Sequence, residues 1–307
     1  MECKAWEYEE FPEYTDVPEG ARCLPTTGDE MGTFYIKDVQ YAEVDGIPLH
    51  LQILLPLSRN HPVMEAPALV YVQGSGWAKQ DVYHNIGRIA KLAERGYVIA
   101  ITEYRHSGQA GFPAQIQDAR NAIRFVRLHA EELHVNPKQI FVGGTSSGGH
   151  TALFSAILTE DSPLDRNLYP GVSAEVCGVL DYYGAVSFLY PDDFPSTTDY
   201  DTEGSEANLY FRKIPGDTQE EKQHNATAVN YIREDTELPP VFIIHGTKDR
   251  IVNTRQSVRL YEKLKQQHRD VRLYLLEGAD HGGPEFWSKP VLDLADEFMQ
   301  DCLRKQE

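Results

Sequence analysis

One short motif constrains the fold of this 307-residue chain more than any other feature: a G-x-S-x-G sequence directly after an apolar run. The run is Ile140-Phe141-Val142, the motif is Gly144-Thr145-Ser146-Ser147-Gly148, and a helix-compatible stretch follows. The pattern predicts a strand that turns sharply into a helix and raises a serine hydroxyl above the edge of a sheet. Ser146 is the candidate nucleophile, because choosing Ser147 would put Thr145 at the first glycine position of a tight turn. The alternative is a Gly-rich loop with no chemical role.

Two later segments supply partners for that serine. A serine hydroxyl becomes a useful nucleophile when a histidine takes its proton, and a carboxylate must orient and stabilise that histidine. The apolar run 241–244 is followed by Asp249, and the run 272–276 is followed by His281. The order Ser, Asp, His, with each residue after a predicted strand, predicts a catalytic triad of Ser146, Asp249 and His281.

Neighbouring histidines and acids are interpreted as structural. His245 is expected at the surface or the edge of the core. His150, in the predicted helix after Ser146, is expected to pack beneath the site without touching substrate. Asp280 is adjacent to His281 in the chain and therefore points elsewhere, which favours Asp249 as the carboxylate partner.

Backbone N–H donors for a tetrahedral oxyanion are predicted on two loops. Ser147, the residue after the nucleophile, is expected to supply one donor. The apolar run 68–72 leads into a turn whose Ser75 and Gly76 are expected to supply the other, since small residues let the backbone approach a substrate carbonyl. An ordinary turn between a strand and a helix is the alternative.

These segments together resemble the α/β-hydrolase superfamily, and more narrowly its esterases with an H-G-G-G-W loop and a G-x-S-x-G-G-H elbow. That group contains carboxylesterases, acetyl-xylan and feruloyl esterases, and small formamidases. The resemblance runs from about residue 40 to the C-terminus and includes the segments 103–107, 112–118 and 225–231. It departs from the family pattern at Gln73 and Ser75, although Gln73 retains the capacity to hold the loop by hydrogen bonding.

The rest of the chain predicts an α/β-hydrolase fold with a mostly parallel sheet covered by helices on both faces. The stretches 33–44 and 49–55 predict two antiparallel strands, and later strands are expected at 97–101 and 176–180. Helical spacing appears from residue 116 to 133 and from 291 to 302. We expect one catalytic domain over 33–307, preceded by an acidic, aromatic arm (1–32) that wraps the body or a neighbouring subunit.

A cap-like insertion is expected at about 185–238, where the alternation of strands and helices stops. Its aromatic residues are interleaved with acidic ones, and the two sets are Phe188, Tyr190, Phe194, Tyr200, Tyr210 and Phe211, and Asp192, Asp193, Asp199, Asp201, Glu203 and Glu206. Rings mixed with carboxylates suit a sugar; a solvated loop with anchoring aromatics is the alternative. Trp77, Tyr182 and Tyr183 are expected to line the substrate pocket.

Composition restricts the partners. A formal net charge of −18 argues against nucleic-acid binding and disfavours anionic membranes. The four cysteines, at positions 3, 23, 177 and 302, show no C-x-x-C spacing, so neither a disulfide framework nor a zinc site is expected. The chain shows no secretory signal and no apolar run long enough to cross a bilayer, which favours a cytoplasmic protein. A homo-oligomer is possible.

The sequence thus predicts a serine esterase that needs no metal or organic cofactor. The preferred substrate is a short acyl ester, chiefly acetyl, on oligosaccharides derived from plant polysaccharides. A general short-chain carboxylesterase and an arylformamidase-like enzyme remain alternatives within the same chemistry. A non-catalytic ligand-binding module is an alternative of another class, although it predicts a broken triad.

Overall fold

An eight-stranded sheet organises the structure, a computed structural model that describes residues 4–60, 65–188, 197–198, 202–203, 206–211, 214, 216 and 218–305. The strands are β1 (Gly32–Val44), β2 (Ile47–Leu57), β3 (Ala66–Val72), β4 (Val98–Thr102), β5 (Val135–Thr145), β6 (Val179–Tyr182), β7 (Val241–Gly246) and β8 (Val271–Leu276). Their order is β1-β2-β4-β3-β5-β6-β7-β8. The β1–β2 and β2–β4 pairs are antiparallel, and all other neighbours are parallel. The predicted mostly parallel sheet is confirmed.

Helices cover both faces of this sheet. They are α1 (Ile86–Ala93), α2 (Ala114–Leu128), α3 (Ser147–Ile157), α4 (Glu206–Leu209), α5 (Gln219–Ala226), α6 (Arg255–Gln266) and α7 (Lys289–Arg304). Side chains alternate along the strands, so in β3 Leu69 belongs to the buried cluster that includes residues of α1 and α7, while Val70 belongs to the cluster that includes residues of α2, α3 and α6. All five residues of β4 are buried, because both faces of the strand are covered.

Some element boundaries differ from those predicted. α2 ends at Leu128 rather than near 133, since the next residues form a turn that leads into β5. β6 covers Val179–Tyr182 rather than 176–180. The preceding Cys177 N–H still donates to the Ile140 carbonyl, so the chain is already held against β5 before the strand begins.

Within its described residues, the N-terminal arm is tied to the residues that follow β2, since the Gly28 carbonyl accepts the Ser58 hydroxyl at 2.8 Å and the Asn60 N–H at 3.0 Å. The Arg59 guanidinium lies over the Tyr8 ring, 5.2 Å from its centroid, and donates to the Tyr8 hydroxyl. Trp6, Phe11 and Tyr14 remain exposed, so these aromatic side chains are not packed into the core. Among the described residues, no helix is both long and apolar enough to span a membrane.

Candidate active site

The turn between β5 and α3 has the strained geometry predicted for a nucleophile elbow. The backbone of Ser146 has φ 54° and ψ −124°, a conformation that residues other than glycine rarely adopt. Two glycines make room for the turn. A Cβ atom on Gly144 would lie 2.5 Å from the Gly148 carbonyl, and one on Gly148 would lie 2.0 Å from the Val72 carbonyl oxygen. The motif therefore allows three backbone segments to meet beneath Ser146.

The structure brings the three predicted triad residues together. His281 Nε2 lies 2.8 Å from Ser146 Oγ, although the two residues are 135 positions apart in the chain. On the other side of the ring, His281 Nδ1 lies 2.7 Å from Asp249 Oδ2. An Nδ1–H donor to the carboxylate leaves Nε2 as the acceptor of the serine proton, which is the arrangement that a general base requires.

Asp249 is enclosed by hydrogen-bond donors. Its Oδ1 accepts the N–H groups of Ile251 and Val252, each at 2.9 Å. Burial by itself raises the pKa of Asp249, but hydrogen bonds from His245 and His281 outweigh it and hold the pKa well below the usual range of a carboxyl group. The residue is therefore an anion at neutral pH. Asp280 instead pairs with Arg250, as its exclusion from the triad predicted.

His245 is not where the sequence placed it. The expectation of a surface or core-edge position is wrong, because the residue is fully buried and its Nε2 lies 3.0 Å from Asp249 Oδ2. The sequence signal that could have identified His245 is its place at the end of β7, four residues before Asp249. Apolar runs reveal which strand is buried, but they do not reveal which polar side chain at the strand's end turns inward.

Two of the three predicted oxyanion donors are available. The N–H groups of Gly76 and Ser147 make no hydrogen bond to any described part of the chain. The Ser75 N–H, by contrast, donates to Ser147 Oγ at 3.0 Å. The expectation that Ser75 supplies an oxyanion donor is therefore corrected, because a side chain of the neighbouring helix already uses that N–H group.

Side chains hold the predicted oxyanion loop, residues 73–78, in place. Ser75 Oγ donates to the Ala78 carbonyl at 2.6 Å and lies 2.8 Å from the Tyr104 hydroxyl, which must then be the donor of that second bond. Gln73 accepts a hydrogen bond from Asn85 Nδ2 at 2.8 Å. The two positions that depart from the family pattern, Gln73 and Ser75, thus both fix the loop by hydrogen bonding.

The three aromatic residues expected to line the substrate pocket are nearly fully buried. Trp77 stacks on Tyr210 with ring centroids 4.3 Å apart, and Tyr182 stacks on Trp287 at 5.4 Å. The Tyr183 ring packs edge-on against His281 at 4.8 Å. None of the three presents a ring face to solvent, so Trp77 and Tyr182 support the core and Tyr183 supports the imidazole of His281.

The described aromatic residues of the insertion anchor it to the body. Phe188, Tyr210 and Phe211 are buried, which agrees with the anchoring alternative rather than with a sugar-binding surface. The other interleaved residues lie outside the described part of the chain, apart from the exposed Glu203 and the backbone of Glu206; they are Tyr190, Phe194, Tyr200, Asp192, Asp193, Asp199 and Asp201.

His150 packs beneath the site, as predicted. Its Nε2 lies 2.9 Å from the Ala226 carbonyl, and its ring contacts Trp77 and Phe154. Burial lowers the pKa of His150 to about 4. Within the described residues, no group of three or more His, Cys, Asp or Glu side chains is placed to hold a metal ion.

The fold with its elbow after β5 is that of the α/β-hydrolases, which confirms the class inferred from the motifs. The BD-FAE family model matches residues 51–264, and the chain belongs to this family. Esterase LipC of Mycobacterium tuberculosis is 25% identical over 226 residues, which are 73% of this chain and 55% of that protein. The chain spans about half the length of the curated relatives it matches first.

Solved esterases share the fold over nearly the whole chain. The apo form of Thermogutta terrifontis esterase 2 is 26% identical with a TM-score of 0.69, over 88% of this chain and 94% of that one. That esterase has also been solved with propionate and with butyrate bound. A bifunctional GH43-CE protein of Bacteroides eggerthii is 25% identical with a TM-score of 0.72, over 90% of this chain and 38% of that one.

Proposed function

We propose that this chain is a carboxylic ester hydrolase with Ser146 as nucleophile, His281 as general base and Asp249 as the residue that orients the base. The observation that carries the proposal is the continuous hydrogen-bonded line from Ser146 Oγ through His281 to Asp249, with contacts of 2.8 and 2.7 Å. The similarity to esterases supports the same chemistry.

In the first step, Ser146 Oγ attacks the ester carbonyl carbon while its proton passes to His281 Nε2. The carbonyl oxygen becomes an oxyanion, which the N–H groups of Gly76 and Ser147 stabilise. The bond to the alcohol then breaks, and the alcohol leaves with the proton from His281. Asp249 stabilises the transient imidazolium and keeps Nδ1–H pointing at its own carboxylate.

In the second step, water hydrolyses the acyl-enzyme by the same route. His281 takes a proton from the water as the oxygen attacks the acyl carbon, and the oxyanion is held again by the same N–H groups. The bond to Ser146 Oγ then breaks, the proton returns to the serine, and the carboxylic acid departs. Each proton removed is returned, so the enzyme is regenerated.

The acyl group is proposed to be short, chiefly acetyl. Beside α3, the rings of Trp77 and Tyr210 stack on each other and are buried, so neither ring offers an open apolar face to a long chain. The propionate and butyrate complexes of the Thermogutta esterase are consistent with this size. The alcohol is proposed to be an oligosaccharide, supported by the similarity to the GH43-CE protein.

A general short-chain carboxylesterase is the second candidate. The observation that favours it is the burial of Phe188, Tyr210 and Phe211, since these rings are anchored in the core rather than free to stack on a sugar. The two candidates share all steps at Ser146 and differ only in the alcohol.

One substrate panel tests both levels of the proposal. Aryl acetate, butyrate and octanoate are compared with an N-formyl arylamine, and acetylated xylo- and manno-oligosaccharides are followed by mass spectrometry. We expect acetate to exceed octanoate and the oligosaccharides to lose acetyl groups. Hydrolysis of aryl esters without deacetylation of the oligosaccharides would refute the oligosaccharide substrate and support the general short-chain carboxylesterase. A Ser146→Ala variant that keeps more than about a tenth of the activity would refute the serine mechanism.

A further inference from the structure

Two histidines contact one oxygen of Asp249. His281 Nδ1 lies 2.7 Å and His245 Nε2 lies 3.0 Å from Asp249 Oδ2. The other oxygen, Oδ1, is bound by the N–H groups of Ile251 and Val252. His245 touches neither Ser146 nor any surface that a substrate reaches, because its side chain is completely buried.

The surroundings of His245 fix which nitrogen carries its proton. Nε2 faces two acceptors, Asp249 Oδ2 and the Val252 carbonyl oxygen at 2.9 Å, so it must be the donor. Nδ1 lies 2.7 Å from Ser257 Oγ on α6, which can donate its hydroxyl proton to it. Both ring nitrogens are thus satisfied with the proton on Nε2, which the two acceptors facing that nitrogen select.

We propose that His245 is a positioning residue that holds Asp249 Oδ2 and shares its negative charge, and so sets the pH range in which His281 acts as a base. The proposal rests on the proposed ester hydrolysis. The Nε2–H group of His245, 3.0 Å from Oδ2, offsets part of the negative charge of the carboxylate, so Asp249 stabilises a protonated His281 less strongly. His281 therefore remains an unprotonated base at lower pH than it would with Asp249 alone.

The other titratable groups near His245 come from the end of β6. Asp181 interacts electrostatically with His245, and the Tyr183 ring lies 6.5 Å from the His245 ring. Helix α6 contributes the uncharged Ser257. Because burial raises the pKa of Asp181 to about 6, its titration falls inside the pH range of interest. An Asp181→Asn background therefore separates its effect from that of His281.

The decisive experiment compares His245→Leu, which removes the donor, with His245→Gln, whose carboxamide can still donate from the position of Nε2. The pH profile of kcat/KM on an aryl acetate is measured in the native and Asp181→Asn backgrounds. We expect His245→Leu to move the acid limb upward by about half a pH unit or more, with His245→Gln close to the native profile. A His245→Leu profile lowered equally at every pH, with its acid limb unmoved, would indicate a purely structural role and overturn the proposal.

A second measurement tests the proposed role of His245 without an activity assay and without the His245→Leu substitution. In protein carrying ¹⁵N-histidine, the ring-nitrogen shifts of His245 report its tautomer, and those of His281 report the midpoint of its protonation. We expect Nε2–H at His245, and a His281 midpoint that changes little in His245→Gln. A proton on Nδ1 of His245 refutes the proposal even if His245→Leu does not fold. Failure of ester hydrolysis would refute the proposed function and leave this measurement intact.

Discussion

A Cβ atom on Gly148 would lie 2.0 Å from the carbonyl oxygen of Val72, so the first turn of α3 is in direct backbone contact with the end of β3. This contact sets the height of Ser146 above the sheet. It also places Ser147 beside the loop that follows β3, where its hydroxyl accepts the Ser75 N–H.

Gly148→Ala is expected to destabilise the protein by about 3 kcal/mol, because neither backbone segment can give way to the added methyl group. Gly87→Ala is the matched control, since a Cβ on Gly87 in α1 meets nothing within 4 Å. That control should be neutral or stabilising by up to about 1 kcal/mol. Urea unfolding measures both, and equal effects of the two substitutions would contradict the close contact.

Ser146→Gly is expected to remove activity and to raise stability by about 1 kcal/mol, because glycine adopts the conformation at φ 54° without strain. Ser146→Ala removes the hydroxyl but keeps the strained conformation. It should be equally inactive and no more stable than the native protein. Thermal unfolding of the two variants side by side isolates the strain; if glycine gives no advantage over alanine, the elbow is unstrained.

Ser147→Ala is expected to lower kcat about tenfold with little change in KM, since the loop that carries Gly76 loses the bond that ties it to α3. Ser155→Ala makes the same chemical change further along α3, where the hydroxyl donates to the Thr151 carbonyl within the helix. Steady-state kinetics on an aryl acetate should show a nearly native Ser155→Ala. A Ser147→Ala effect confined to KM would argue that the bond does not position the oxyanion loop.

The stability of the Asp181→Asn variant relative to the native protein is expected to increase as pH rises. Burial raises the pKa of Asp181 to about 6, above its ordinary value of 3.8. The folded protein thus holds this proton more tightly than the unfolded chain, and the resulting stability is present below about pH 4 and lost as pH rises through about 6. Asparagine avoids that loss, and its carboxamide oxygen can still accept the Gly184 N–H, as Asp181 does.

The free energy of unfolding of Asp181→Asn relative to the native protein, measured by urea at about pH 4 and about pH 8, should rise by roughly 2–3 kcal/mol between the two. A relative stability that is flat or falls with pH would show that Asp181 is not held in a region that disfavours its charge.

The fold and the contacts among Ser146, Asp249 and His281 were predictable because each signal is local. An apolar run marks a buried parallel strand, and the loop after such a strand lies at one known edge of the sheet. Three residues that follow three strands therefore share an edge, whatever their separation along the chain. The assignment of catalytic roles to these residues remains a prediction.

The rest of the site depends on contacts between elements that no local pattern encodes. The Ser75 N–H group is bound by the Ser147 hydroxyl on α3. The inward-facing ring of His245 is bound by the Ser257 hydroxyl on α6. Tyr182 and Tyr183 are adjacent at the end of β6, yet one ring stacks on Trp287 and the other supports His281. From the sequence, these two aromatic residues were expected to line the substrate pocket, and the burial of their rings was not predicted.

The order of the strands in the sheet has a consequence for the newly made polypeptide. Ser146 leaves the ribosome well before Asp249 and His281, and the two strands that deliver those partners, β7 and β8, join one margin of the sheet after the rest of it. A molecule synthesised only as far as the elbow sequence lacks the imidazole that lies 2.8 Å from Ser146 Oγ in the finished protein. If Ser146 is the nucleophile, as proposed, ester hydrolysis has to wait until synthesis has passed His281.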